Sequence, residues 1–99
     1  MRPHKLFEIF QDRKRLYTKS LVKGKKFFEE RTFRDKGIEY REFDPSRSKL
    51  AAMIAKGSTN IGIREGNIIL YLGSSHGYTV SFVSDMVGEK GIVFGIDPA

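Results

Sequence analysis

Residues 67–97 read NIILYLGSSHGYTVSFVSDMVGEKGIVFGID, a pattern of strand, glycine turn, helix and second strand. Ile68, Ile69, Leu70, Tyr71 and Leu72 form an apolar run. It is too short for a buried helix and too unbroken for a strand with one wet face, so it predicts a central parallel strand covered on both sides. Gly73 and Gly77 bracket Ser74, Ser75 and His76; without a Cβ, glycine lets the backbone turn sharply and approach a ligand. Val80, Val83 and Val87, with Met86 beside them, then mark one helical face, while Ser81, Ser84 and Asp85 point elsewhere and Gly88 supplies the stop. Residues 91–97, GIVFGID, give a second apolar strand ending on a carboxylate. The whole is the first βαβ half of a nucleotide-type fold.

The turn limits the ligand. A dinucleotide site expects G-x-G-x-x-G, so that the backbone receives a pyrophosphate at the helix N-terminus. Here the spacing is G-x-x-x-G, with bulky Tyr78 directly after the second glycine. A carboxylate at the tip of the next strand, Asp97, suits the two hydroxyls of a ribose. A looser turn without a pyrophosphate cradle fits S-adenosyl-L-methionine better than NAD. Other nucleotides, or no small ligand at all, remain open on spacing alone.

The chain has 99 residues and no cysteine, which removes disulfides and thiolate metal sites. No apolar run approaches the ~20 residues of a membrane helix, and the start, MRPHKLFEIF, lacks a signal-peptide core. A cytoplasmic setting without membrane contact is the expectation. The net charge of +6 is unevenly spread. Residues 1–49 hold 15 basic and 8 acidic side chains, and residues 50–99 hold 3 and 4. The entire basic excess therefore precedes the glycine turn, an asymmetry that points to nucleic-acid phosphate. The competing explanations are a solvated basic face and a surface that meets an acidic protein.

Residues 1–44 predict a small β-rich domain of hairpins, and residues 45–99 the start of the larger α/β domain. Leu6 to Phe10, Leu16 to Val22, Lys26 to Phe33 and Ile38 to Phe43 are short apolar runs. Turn candidates at Gln11–Arg13, Lys23–Gly24 and Arg34–Gly37 separate them. Phe27, Phe28, Phe33, Tyr40 and Phe43 are more readily core than stacking platforms for bases, because a thin β layer has little else to bury. Asp44 reads as an N-cap with Pro45 at the first helical position, and Gly57 ends the helix. Leu50, Met53 and Ile54 form its apolar stripe. Arg47 and Lys49 would lie in its first turns, where cations oppose the helix dipole. Residues that break a local rule are candidates for function, here for contact with nucleic acid.

Three blocks carry a resemblance: FDPSRSKLAAMIAKG, ILYLGSSHGYTVSFVSD and IVFGID, in that order and at this spacing. With the earlier TKSLVKGKKFFEE and IEYREFDP, they resemble the fibrillarin family in its archaeal form, along the whole chain. The resemblance implies a Rossmann-like, class I SAM-dependent methyltransferase preceded by a small N-terminal β domain. The implied activity is 2′-O-methylation of ribose in rRNA or tRNA within box C/D ribonucleoproteins. It implies that Gly73, Ser74 and Gly77 wrap the methionine part of S-adenosyl-L-methionine, that Tyr78 and Thr79 touch the cofactor, and that Asp97 holds the ribose with Pro98 beneath the adenine. Lys49 matches the first lysine of the family's active-site set. The implied partners are a guide RNA and target RNA, a Nop-domain scaffold protein and a kink-turn-binding ribosomal-type protein.

The chain departs from the family at three points. Ser74-Ser75-His76-Gly77 replaces a loop of smaller residues, Tyr78 stands where a threonine is usual, and Asp97 replaces a glutamate. The remaining members of the active-site set would lie beyond Ala99. The expectation is therefore the front portion of a longer methyltransferase, or one part of a split one, inactive alone and with an uncovered apolar sheet face. The alternative is a non-catalytic module whose basic half docks RNA or a scaffold.

Overall fold

The computed structural model describes residues 1–4, 8–22, 24, 28–57, 61–72 and 77–96. Five strands form an antiparallel sheet: β1 (Arg2–Pro3), β2 (Phe10–Asp12), β3 (Arg15–Lys19), β4 (Thr32–Asp35) and β5 (Ile38–Glu42), in the order β1-β2-β3-β5-β4. Helix α1 (Lys49–Ala55) leads to β6 (Ile68–Leu72), helix α2 (Tyr78–Val87) and β7 (Ile92–Ile96). β6 and β7 pair in parallel, from Ile68 opposite Ile92 to Leu72 opposite Ile96. The βαβ unit expected from residues 67–97 is present.

Turn chemistry sets the hairpins. Asp35 pairs with Ile38, and the two residues between them, Lys36 and Gly37, both have positive φ, at 53° and 81°. Such a turn matches the strand twist. The turn placed at Gln11–Arg13 is shifted: Asp12 pairs with Arg15, so Arg13 and Lys14 are the loop, with Arg13 at φ 59°. The run Lys26 to Phe33 is not one strand, since β4 begins only at Thr32. Glu29 has φ 57°, which an extended strand does not allow, and the buried Glu30 after it turns inward to an ion pair.

The expected helix start is displaced as well. Asp44 caps a turn rather than a helix: its carboxylate accepts from the Ser46 N–H at 2.9 Å, and its carbonyl accepts from the Arg47 N–H at 3.0 Å. Aspartate followed by proline starts a turn as readily as a helix. The true N-cap is Ser48, whose Oγ accepts from the Ala51 N–H at 3.3 Å. Lys49 is thus the first helical residue and Arg47 lies before the helix. The buried face of α1 is Ala51 and Ile54, with Leu50 packed beside them, while Met53 is exposed.

One apolar cluster runs across the turn at residue 44. Ile9, Leu16 and Phe43 meet Ala51, Ile54, Tyr78, Phe82 and Met86, with the Phe43 and Phe82 rings stacked at 4.5 Å. α2 lies between the two sheets and uses both its sides. On one side Gly91 approaches so closely that a Cβ there would lie 2.4 Å from Val87 Cβ, so only glycine fits. The polar residues of α2 point away from its apolar face, as expected, and two of them meet another element. Ser81 and Asp85 turn to the antiparallel sheet, where Arg41 donates to Asp85 at 2.9 Å and to Ser81 Oγ at 2.9 Å. The uncovered apolar sheet face expected of a front portion is present, and the covering of β6 on both faces is not. Ile68, Leu70 and Leu72 are 60–71% exposed, and Ile92 and Phe94 lie open beside them. α2 covers the other face, and nothing among the described residues covers this one.

Arg41 is 1% exposed and also donates to Glu30 at 2.6 Å. Its guanidinium lies 4.0 Å from the centre of the Phe82 ring. Burial pushes the Asp85 carboxyl up, and the Leu21 N–H, Arg41 and the Thr18 hydroxyl offset only part of that rise. Burial also acts to raise Glu30, but the Phe28 and Glu30 N–H groups and Arg41 outweigh it and hold that carboxyl below its ordinary value. A carboxylate lowered on folding contributes stability above its ordinary pKa and loses it as pH falls through the folded value. Glu30→Gln leaves the buried Arg41 short of a charge and should cost about 3 kcal/mol at neutral pH. In denaturant titrations across pH, that difference should shrink below the ordinary glutamate range and vanish in stronger acid. A difference independent of pH would contradict the ion pair.

Candidate functional site

Two parallel strands that end in register release the chain at the same end of their sheet, where α/β folds bind ligands. β6 ends at Leu72 and β7 at Ile96, which are register partners. Of the sequence-derived site residues, Gly73, Ser74, Asp97 and Pro98 lie outside the described residues, as does His76. Gly77, Tyr78, Thr79, Arg47 and Lys49 are described, and they come together.

Gly77 is the N-cap of α2, with φ 84° and no side chain to cap the helix. Among the described residues the N–H groups of Tyr78, Thr79 and Val80 meet no acceptor, the first being Ser81 N–H to Gly77 O at 2.9 Å. A helix start with free N–H groups and the positive end of the dipole receives a carboxylate well. That is the part of S-adenosyl-L-methionine the turn would have to hold, so the residues present fit the cofactor at this point.

Thr79 ties this turn to α1. Its hydroxyl donates to Ser48 Oγ at 2.8 Å, and Ser48 is the N-cap of α1. Lys49, the next residue, therefore starts its helix beside the start of α2, with its side chain exposed. The spacing of residues 49 and 79 in sequence contains no trace of this junction. A serine before a lysine is its only local signal, and Asp44 obscured it.

The side chain of Tyr78 is turned into the core. It is 8% exposed, its ring packs on Phe28, Phe43 and Phe82, and its hydroxyl accepts from the Asp44 N–H at 3.0 Å. Burial pushes its phenol up, against the Asp44 N–H and Arg47, so it stays neutral. Tyrosine here fills core space where a smaller residue would leave a gap. Arg47 stacks on that ring at 4.3 Å and donates to the Phe28 carbonyl at 3.0 Å, yet remains exposed. A cavity of ≈ 460 Å³ beside Gly77 is lined by Phe28, Val80, Ser84 and Val93 among others and by nothing from α1. Among the described residues no cluster of side chains could hold a metal.

The junction predicts a separation of effects. Ser48→Ala removes the cap of α1 and the partner of Thr79, and should lower unfolding free energy by about 1–2 kcal/mol in urea titrations. Lys49→Ala, on an exposed side chain, should stay within about 0.5 kcal/mol of the parent. A Lys49→Ala chain as destabilised as Ser48→Ala would make Lys49 a structural residue.

The sequence pattern of the fibrillarin family matches residues 2–99. A fibrillarin-like rRNA/tRNA 2′-O-methyltransferase of Pyrobaculum calidifontis is 42% identical over 103 residues, covering 98% of this chain and 44% of that protein. One of the same description from Methanosarcina barkeri is 45% identical over 92 residues, covering 93% and 40%. The crystal structure of Aeropyrum pernix fibrillarin in complex with natively bound S-adenosyl-L-methionine superposes with TM-score 0.88 at 38% identity, covering 99% of this chain and 45% of that one. A Methanococcus jannaschii fibrillarin pre-rRNA processing protein gives TM-score 0.79 at 47% identity, over 86% and 36%. The chain spans less than half the length of these relatives and matches their N-terminal portion. With its β-sheet, crossover and lysine-bearing helix in one arrangement, the chain belongs to the fibrillarin family.

Proposed function

We propose that this chain supplies the cofactor-binding front of a class I, Rossmann-like RNA 2′-O-methyltransferase that uses S-adenosyl-L-methionine. The observation that carries the proposal is the 2.8 Å contact between Thr79 and Ser48, which puts Lys49 beside the N-terminus of α2. In this reading the N–H groups at the start of α2 hold the methionyl carboxylate. Gly73, Ser74 and Gly77 form the turn around it, Thr79 fixes the turn to α1, Asp97 accepts the ribose hydroxyls and Pro98 lies under the adenine. Tyr78 contributes its backbone and a filled core rather than a side-chain contact. The cofactor supplies a methyl group activated by a sulfonium.

Lys49 holds a positive charge at the mouth of the site, where it orients a ribose 2′-hydroxyl and, with Arg47, meets the neighbouring phosphates. The protein's contribution is alignment and charge placement. Target choice is then left to a guide RNA of the box C/D type, with a Nop-domain scaffold and a kink-turn-binding protein placing the chain. This agrees with a basic first half in which no base-reading motif stands out. Transfer would need further active-site residues that a partner or a longer chain provides.

The competing reading is a non-catalytic module, favoured by the concentration of the basic excess in residues 1–49. Calorimetry with S-adenosylhomocysteine separates the two. The methyltransferase reading expects binding, weakened at least about tenfold by Asp97→Ala; absence of binding, or indifference to that change, would overturn it. These 99 residues alone should transfer no methyl group to a guide-matched RNA. Turnover well above blank would show that they need no further active-site group.

A further inference from the structure

The two sides of the antiparallel sheet have different chemistry. Thr18 and Arg41 reach α2 from one side. Strand alternation sends Tyr17 and Tyr40 to the other, joined by their register partners Phe10 and Phe33. Phe10 lies 5.3 Å from Tyr40 and Tyr17 lies 6.3 Å from Phe33, measured between ring centres. The two tyrosines are buried among their neighbours, whereas Phe33 is 41% exposed.

Beside Phe33 and Tyr17 opens a cleft of ≈ 640 Å³. Arg13, Lys14, Arg15 and Arg31 line it, and Asp12 is the one carboxylate among its described lining residues. Arg15 also leans toward Glu42, at 3.6 Å. Among the described residues Arg13, Lys14 and Arg31 have no carboxylate within ion-pair distance. The two-residue hairpin loop presents Arg13 and Lys14 together at the rim.

From this juxtaposition we propose that the outer face of the antiparallel sheet, at Phe33 with Arg13, Lys14 and Arg31, binds a segment of single-stranded RNA. The exposed ring offers a stacking surface for one base, and the unpaired cations lie where a phosphate backbone would run past it. An acidic peptide would satisfy the cations but leave the ring unused. A duplex has its bases stacked already and could not use it either. The Phe33 ring lies on the face of the sheet turned away from α2, so stacking there is a second contact, separate from Lys49, while Arg31 also lines a cavity shared with Arg47 and Tyr78. The choice of RNA as the nucleic acid rests on the function proposed above.

Fluorescence anisotropy of the full chain with a fluorescein-labelled oligouridine of about 12 nucleotides tests the surface. Phe33→Ala keeps every charge and should weaken binding at least about fivefold, the low end of one stacked base, without changing the salt dependence. Replacing Arg13, Lys14 and Arg31 together by alanine should lower the slope of log affinity on log salt by about 2. The oligouridine–oligoadenosine duplex and polyglutamate should both bind more weakly than the single strand. The proposal is overturned if Phe33→Ala binds as the parent does, or if the duplex or polyglutamate binds as tightly as the single strand. Far-UV circular dichroism establishes that each variant is folded. S-adenosylhomocysteine calorimetry on Phe33→Ala should match the parent, so failure at this face and failure of the cofactor site give different results.

Discussion

One buried guanidinium ties the two halves of this molecule together beside the apolar cluster they share. Arg41, on the central part of the antiparallel sheet, gives its donors to Glu30 on its own side and to Asp85 and Ser81 on α2, while its plane lies over Phe82. A buried charge is tolerated only when its partners are fixed, and losing any one leaves a costly remainder. The rotation of α2 against the sheet is therefore set by chemistry rather than by apolar contact alone. Arginine suits this position because its planar fork addresses several acceptors at once, which a lysine ammonium could not do.

The position of the site follows from that constraint. With α2 fixed by Ser81 and by Asp85 in its last turn, its first turn is held against Phe28 and Phe43 by the Tyr78 ring. The residue after Tyr78 then meets the cap of α1, and Lys49 is carried to the same place. A cation at the first position of a short helix is locally unfavourable. Its side chain is exposed beside the start of α2. The exposed faces of Ile68, Leu70 and Leu72 mark the opposite limit of the chain's own packing: the parallel pair has one covered face and one open one.

Much of this was legible in the residues. The five-residue apolar runs, the glycine at each end of α2 and the Lys36-Gly37 turn each carry a local signal that the structure follows. The helix before β6 was legible in its existence and its end at Gly57, but not in its start, since Asp44-Pro45 satisfies the rules for a turn equally well. The partner of the polar residues on α2 is not legible, because helical periodicity cannot distinguish water from a buried arginine on another element. The same blindness to long-range partners hid the Ser48–Thr79 contact. Phe33 and Phe43 differ in exposure for a reason no composition shows: strand register sends one to the outer side of the sheet and the other into the shared core.

The central claim is that the Gly77 turn and Lys49 belong to one ligand site, held in place by the packing of α2. The most direct measurement is a two-dimensional amide NMR titration with S-adenosylhomocysteine. The account predicts that the backbone amides of Gly77, Thr79 and Lys49 shift together, with one shared saturation curve, while those of Arg13 and Phe33 stay in place. Shifts confined to the turn, with Ser48 and Lys49 unmoved at saturation, would contradict it.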